Sequence, residues 1–131
     1  MPKKLVFIEA PHNWTDRVTV KTRNAGIERI VSYLLIKNII NDNDYACYDF
    51  TFNSQANEQA TEEFIKQQVQ TIPSANFYCF STMETNYNAT LLFAKQLKQK
   101  HPESIIIIGG PAATELKEEI LEVHQQVNII I

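Results

Sequence analysis

Hydroxyl-bearing residues and glycines follow two apolar runs, at residues 77–80 and 105–108. They are Ser81, Thr82, Thr85, Gly109 and Gly110. Hydroxyls donate and accept hydrogen bonds, and glycine lets a flat ring or a phosphate approach the backbone closely. If both runs are neighbouring parallel strands, their carboxyl ends meet at the edge where open α/β sheets bind ligands. The pattern therefore predicts a polar cradle at that edge.

The same residues also have a purely structural explanation. Ser81 and Thr82 can cap the helix that follows them, and the glycine pair can make a tight exit from its strand. These roles are compatible with ligand binding, so the residue pattern alone leaves both explanations open.

The loop after the first apolar run argues against three common ligand sites. It reads Glu9-Ala10-Pro11-His12-Asn13-Trp14, where a dinucleotide-binding protein would carry G-x-G-x-x-G. A phospho-receiver would need an acidic pair there and an aspartate at the place of Ser81. A flavodoxin would need a hydroxyl-rich phosphate loop. The candidate site therefore stays at the ends of the later strands.

Strand and helix patterns alternate along the chain. Apolar runs of strand length predict buried parallel strands, and apolar residues at i, i+3 and i+4 predict amphipathic helices. The predicted strands are 5–8, 45–52, 76–80, 105–108 and 127–131, and the predicted helices are one from Gly26, 58–72, 88–100 and 115–124. The predicted core positions of the first and last helices are Ile27, Ile30, Val31, Leu34, Leu35, Leu116, Ile120 and Val123.

This order of elements predicts an α/β fold with right-handed crossovers. We expect a three-layer, doubly wound, parallel five-stranded sheet with the flavodoxin-like strand order 2-1-3-4-5. At 131 residues, one domain is expected. No closing helix follows the fifth strand, so we expect the chain to be a fragment of a longer polypeptide.

Composition and charge narrow the class of protein. The chain has 44% hydrophobic and 21% charged residues, which is typical of a globular protein. A net charge of -3 with scattered Lys and Arg argues against nucleic acid, and no apolar run approaches the ~20 residues of a membrane helix. Cys47 and Cys79 lie in predicted strands without a CxxC spacing, which favours buried reduced thiols and a cytoplasmic protein.

The long polar segment from Glu9 to Asn24 is typical of a functional or mobile loop. Within it, Trp14 is expected to anchor the loop, and packing over a bound ring is the alternative.

Two stretches resemble the cobalamin-binding domain that precedes the catalytic barrel in cobalamin-dependent radical SAM enzymes. They are residues 78–87, Tyr-Cys-Phe-Ser-Thr-Met-Glu-Thr-Asn-Tyr, and residues 107–114, Ile-Ile-Gly-Gly-Pro-Ala-Ala-Thr, with Glu118 to Leu121 beyond. The likeness extends over essentially the whole chain, more loosely at Pro11 and at Asn24 to Ile27.

In that family, a Rossmann-like domain holds the nucleotide tail of cobalamin in the loops after strands three and four. The glycine pair lets the dimethylbenzimidazole lie against the backbone. The resemblance implies these cofactor-binding residues: Ser81, Thr82, Met83, Glu84, Thr85, Gly109, Gly110, Pro111 and Thr114.

His12 falls where some cobalamin domains, those of the methionine synthase and mutase type, place a cobalt ligand in the motif D-x-H-x-x-G. Ala10 and Thr15 stand here where the aspartate and the glycine should be. No residue is therefore expected to orient the imidazole, and His12 is predicted to be solvent-exposed or packed in the loop rather than bound to cobalt.

The resemblance implies that the chain is not catalytic by itself. It has no CxxxCxxC triplet, so the 4Fe–4S cluster and S-adenosylmethionine would belong to a radical SAM domain downstream. The whole enzyme would then act on a small molecule or peptide, as a radical methyltransferase or a related enzyme. The alternative is a cofactor-free docking module of the same fold. The bulky, acidic Met83-Glu84 pair beside the expected cofactor site is compatible with this alternative. A free-standing enzyme is a third possibility, but no nucleophile and base converge in the sequence.

Overall fold

The computed structural model of the chain describes residues 3–12 and 25–131. Its strands are β1 (Lys3–Glu9), β2 (Tyr45–Asp49), β3 (Ala75–Ser81), β4 (Ile105–Gly109) and β5 (Ile129–Ile130). Its helices are α1 (Ala25–Ile36), α2 (Glu58–Thr71), α3 (Tyr87–Lys100) and α4 (Pro111–Val123), with a 3-10 helix at Glu84–Asn86. The predicted loop residues 13–24, with Trp14 among them, lie outside the described residues.

The five strands form one sheet of order β2-β1-β3-β4-β5, and every pair is parallel. This confirms the predicted doubly wound, flavodoxin-like α/β fold. The register pairs Ser81 with Gly109 at the carboxyl edge. The two candidate loops are therefore neighbours, as the alternation of elements predicted.

Side chains of alternate strand residues point to opposite faces of the sheet. One face is covered by α2, α3 and α4, and six of its strand side chains are at most 4% exposed: Val6, Ile8, Tyr78, Phe80, Ile106 and Ile108. The helix residues that pack against them include Ile65, Val69, Phe93, Leu97 and Ile120. The main core of the protein lies on this face.

The opposite face carries α1 and is packed more loosely. Leu5, Cys79 and Ile107 are half-buried, whereas Val6, Tyr78 and Ile106 beside them in the same strands are buried. Ile30 was predicted to face the core but is 51% exposed, because it stands at the rim of a groove between α1 and the sheet. Helix α1 therefore covers only part of this face.

Three other expectations need correction. Val123 is 64% exposed rather than in the core, because it is the last residue of α4, where the helix ends beyond the buried Ile120. Strand β2 ends at Asp49, before the predicted end at 52, because the Asp49 carboxylate accepts hydrogen bonds from Thr51 and closes a turn. Cys47 is exposed rather than buried, because β2 is an edge strand.

Within the described ranges, none of the helices has the length and apolar character needed to cross a membrane.

Candidate functional site

Thr82 joins the two candidate loops at the carboxyl edge. Its backbone N–H and its hydroxyl both donate to the Gly109 carbonyl, each at 2.7 Å. Its hydroxyl also accepts from Ala113 N at 3.2 Å, and its carbonyl accepts from Ala112 N at 3.4 Å. Thr82 therefore caps α4, and not the helix that follows it in the sequence.

This cap explains why α4 begins earlier than predicted. The glycine loop was expected to continue through Thr114, with a helix from 115. The helix instead begins at Pro111, whose ring suits the first helical position because no N–H is needed there. Thr82 satisfies the next two N–H groups, which Gly110 cannot cap because it has no side chain.

The two glycines have different structural roles. Gly110 has a φ of 103°, and a Cβ there would lie 2.4 Å from the Thr82 carbonyl oxygen. The junction with Thr82 therefore requires glycine at position 110. A Cβ on Gly109 would meet nothing among the described residues nearer than Ile131 Cβ at 3.9 Å. Among the described residues, position 109 therefore has room for a Cβ in ordinary contact with Ile131.

Gly109 lines an apolar groove between α1 and the sheet, of about 350 Å³. Its walls include Ile27, Ile30, Leu34, Cys79, Ile107 and Ile131. Ser81, Gly109 and Gly110 line it at the carboxyl edge of the sheet. Burial in these surroundings raises the pKa of the Cys79 thiol to about 11.

A second cavity, the polar cleft, lies on the other side of the same loop. It also measures about 350 Å³ and runs between the N-terminal parts of α2 and α3. Its lining includes Asn57, Glu58 and Thr61 from α2 and its cap, Asn88 and Leu92 from α3, and His12, Glu84 and Thr85. Two residues that the resemblance implies for one cofactor site, Glu84 and Thr85, therefore lie away from Ser81 and Gly109.

His12 is the centre of a buried hydrogen-bond network beside the polar cleft. Its Nε2 lies 2.6 Å from Glu9 Oε1, and its Nδ1 lies 2.5 Å from Thr85 Oγ1. Only 3% of His12 and 5% of Glu9 are exposed. Ser54 donates its hydroxyl to the His12 carbonyl. His12 is therefore held by hydrogen bonds at both ring nitrogens and at its backbone carbonyl.

Asn86 connects this network to the strand-three loop. Its side-chain nitrogen donates to Glu9 Oε1 at 3.3 Å and to the Ser81 carbonyl at 3.2 Å, and its Oδ1 accepts from Met83 N at 2.7 Å. Asn86 is 1% exposed. The loop after β3 is therefore tied to the last residue of β1.

Comparison with protein-family models and with curated proteins finds no match. Function is therefore inferred from the groove, the cleft and the network around His12.

The remaining predicted site residues are on the surface. Met83 and Glu84 are exposed, as are Pro111 and Thr114 in the first turn of α4. The Thr114 hydroxyl donates to the Gly110 carbonyl at 3.0 Å, which is an ordinary bond within a helix. The structure thus brings Ser81, Gly109 and Gly110 together in the apolar groove and leaves the others outside it.

His12 was predicted to be solvent-exposed or packed in the loop, and its burial agrees with the second alternative. The expectation that no residue orients the imidazole is wrong, because Glu9 takes that role from three positions before it. The motif D-x-H-x-x-G has its aspartate at position 10, two residues before the histidine, whereas Glu9 lies three residues before it. The sequence feature that could have identified Glu9 is an acidic residue at the end of a central strand. The Thr85 hydroxyl and the His12 imidazole, 73 residues apart in the sequence, lie within hydrogen-bond distance, a contact that the sequence did not predict.

Proposed function

We propose that this chain is the cobalamin-binding domain of a radical SAM enzyme, a radical methyltransferase or a related enzyme. In this proposal, the apolar groove holds the nucleotide tail of the cofactor. The observation that carries the proposal is the bare backbone of Gly109 in an apolar groove at the carboxyl edge of a parallel 2-1-3-4-5 sheet.

The residues of the groove suit a flat aromatic base. Ile27, Leu34 and Ile107 offer apolar walls, and a dimethylbenzimidazole would leave water on entering between them. Gly109 leaves the room that a side chain would fill. The Ser81 hydroxyl, at the carboxyl edge, supplies a hydrogen-bonding group for the polar part of the tail.

The other residues that the resemblance implies have different tasks in this proposal. Thr82 and Gly110 keep the two loops joined, so they shape the groove without needing to touch the cofactor. Met83, Glu84, Thr85, Pro111 and Thr114 would contact only parts of the cofactor that project beyond the groove. His12 is not assigned to cobalt, because both of its ring nitrogens already have hydrogen-bond partners.

Cobalamin, when bound, supplies the methyl-transfer or radical chemistry, and the domain binds and orients it. The proposal includes a radical SAM catalytic domain in the same polypeptide, which carries the 4Fe–4S cluster and S-adenosylmethionine and takes a small-molecule or peptide substrate. Cys47 and Cys79 are both free thiols, which suits the reducing cytoplasm.

The test is retention of hydroxocobalamin by the purified chain. Protein and cofactor are mixed at tens of micromolar and separated from free ligand by gel filtration, and the corrin absorbance that travels with the protein is measured. We expect retention close to one cofactor per chain. A protein fraction without corrin absorbance contradicts the proposal and favours the cofactor-free docking module.

A pair of leucine substitutions tests the placement in the groove. Gly109→Leu fills the space beside the backbone and is expected to lower retention at least tenfold. Asn76→Leu adds the same side chain at an exposed position near the opposite end of β3 and is expected to retain the cofactor like the wild type. Equal retention by both variants would show that the nucleotide tail does not bind in the groove, even if the chain binds cobalamin.

A further inference from the structure

We propose that Thr85, His12 and Glu9 form a nucleophile, base and carboxylate relay that hydrolyses a small ester bound in the polar cleft. This activity is separate from the cofactor binding proposed above. The cleft lies on the α2 and α3 side of the sheet and shares no lining residue with the apolar groove. Cofactor retention and ester hydrolysis can therefore fail independently.

The hydrogen bonds have the order that acyl transfer requires. The Glu9 carboxylate accepts from His12 Nε2 at 2.6 Å, so the imidazole proton is held on that nitrogen. Nδ1 then presents its lone pair to the Thr85 hydroxyl at 2.5 Å. A hydroxyl within hydrogen-bond reach of a base, with the base oriented by a third group, is the arrangement that activates a nucleophile.

Burial divides the relay into an accessible and an inaccessible part. His12 and Glu9 are almost fully buried, and Asn86 donates a further hydrogen bond to Glu9 Oε1 at 3.3 Å. Thr85 is only half-buried and lines the cleft. The nucleophile thus meets the cleft, while the imidazole and the carboxylate behind it are shielded from water, which strengthens the hydrogen bond between them.

A hydrogen-bond donor for the carbonyl oxygen is also available at the cleft. Asn88 follows Thr85 by three residues, is exposed in the first turn of α3 and lines the same cavity. A side-chain amide can stabilise the oxyanion that forms when a hydroxyl attacks a carbonyl. Asn88 is therefore the residue that we assign to that role.

The cleft also indicates the class of substrate. Glu58 and Glu84 add two carboxylates to its lining, and Leu92 and Ala89 give it an apolar wall. An ester with a negatively charged leaving group would be repelled by these carboxylates. We therefore expect a small acyl ester of a neutral or positively charged alcohol.

The reaction needs no reactant other than water. Thr85 Oγ1 attacks the ester carbon as its proton passes to His12 Nδ1, and the bond from carbon to the alkoxy oxygen breaks. The alcohol leaves with the proton from His12, and the acyl group remains on Thr85. Water then gives a proton to His12 and attacks the acyl carbon, which releases the acid and returns the proton to Thr85.

The experiment measures hydrolysis of phenyl acetate and acetylcholine against 4-acetoxybenzoate, whose carboxylate makes it the anionic probe. We expect the wild type to accelerate hydrolysis of the first two, relative to their spontaneous hydrolysis, more than that of the third. Thr85→Val should lower the rate about a hundredfold, as should His12→Gln, while Thr85→Ser restores most of it. Thr71→Val, at the exposed end of α2, is the matched control and should leave the rate unchanged.

A second readout does not depend on the folding of any variant. Wild-type protein quenched during turnover of phenyl acetate and digested should give a Thr85 peptide heavier by one acetyl group. No acetylated Thr85 peptide, or a wild-type rate no greater than that of Thr85→Val with the same thermal unfolding midpoint, overturns the proposal.

Discussion

The two faces of the sheet differ in how completely they are packed. Ile106 and Ile107 are neighbours in β4, yet Ile106 is fully buried under α3 and α4, and Ile107 is half-buried beside the groove at α1. Most of the buried apolar side chains that stabilise the protein lie on the face with three helices. Within the described residues, the face with α1 leaves apolar surface uncovered, at a cost in packing.

The loop after β3 connects these two regions. Ser81 lines the groove on one face, and Thr85 lines the polar cleft on the other. Thr82 and Asn86 hold the loop through buried hydrogen bonds. A rigid loop can therefore serve two different sites. The buried Thr82 and Asn86 have structural roles in this loop. Ser81 and Thr85, which line the two cavities, are the residues whose chemical roles can be tested.

The largest expected difference between the faces is in the cost of removing an isoleucine. Ile106→Ala should lower the free energy of unfolding by about 4 kcal/mol, because it leaves a cavity in a closely packed core. Ile107→Ala should cost about 1 kcal/mol, since its site is already open to the groove. Urea unfolding of both variants measures the two values. Equal losses would mean that the faces are packed alike.

The glycine pair gives the next largest difference. Gly110→Ala forces a positive φ on an L side chain and brings its Cβ against the Thr82 backbone, so we expect a loss of about 3 kcal/mol. Gly109→Ala meets only ordinary contact with Ile131 and should change stability by less than about 0.5 kcal/mol. Thermal unfolding separates the two. Similar losses would contradict the separate roles assigned to these glycines.

Much of this architecture was predictable, and the failures have physical causes. The alternation of apolar strands with amphipathic helices predicted the strand order, because parallel strands leave few other topologies. Helix periodicity misplaced Ile30, since it assumes that the whole apolar stripe of α1 meets a core. The contact of His12 with Thr85 joins residues 73 positions apart, and only the strand register brings their loops together.

The two cysteines are expected to differ in reactivity, because Cys79 lines the apolar groove beside α1 and Cys47 is exposed on the edge strand β2. Burial raises the pKa of Cys79 to about 11, whereas Cys47 is exposed and its pKa is raised by a smaller degree of burial and by Glu28. Because the thiolate is the reactive form, N-ethylmaleimide at pH 7.5 should modify Cys79 at least about tenfold more slowly than Cys47. Mass spectrometry of the peptides gives both rates. Bound hydroxocobalamin should slow Cys79 further and leave Cys47 unaffected, and protection of Cys47 alone would contradict the proposed groove site.

The smallest expected effect lies on the closely packed face, where His101 stacks on Tyr78 and its Nε2 is buried without a hydrogen-bond partner among the described residues. Desolvation, with the nearby Lys100 charge, lowers the pKa of His101 below 6.5. The unfolded chain therefore binds a proton at His101 before the folded chain does as the pH falls. This contribution to stability is complete above pH 6.5 and is lost as the pH decreases towards the folded pKa.

We expect this imidazole to lower the free energy of unfolding by less than about 1 kcal/mol between pH 7.5 and 5.5, because the side chain is only partly buried. His101→Phe keeps the ring stacked on Tyr78 and removes both the titration and the buried nitrogen, so its stability should depend less on pH over that interval. Urea unfolding of the wild type and the variant at both pH values measures the difference. An identical pH dependence would show that His101 does not impose a proton-linked cost on the face that otherwise packs best.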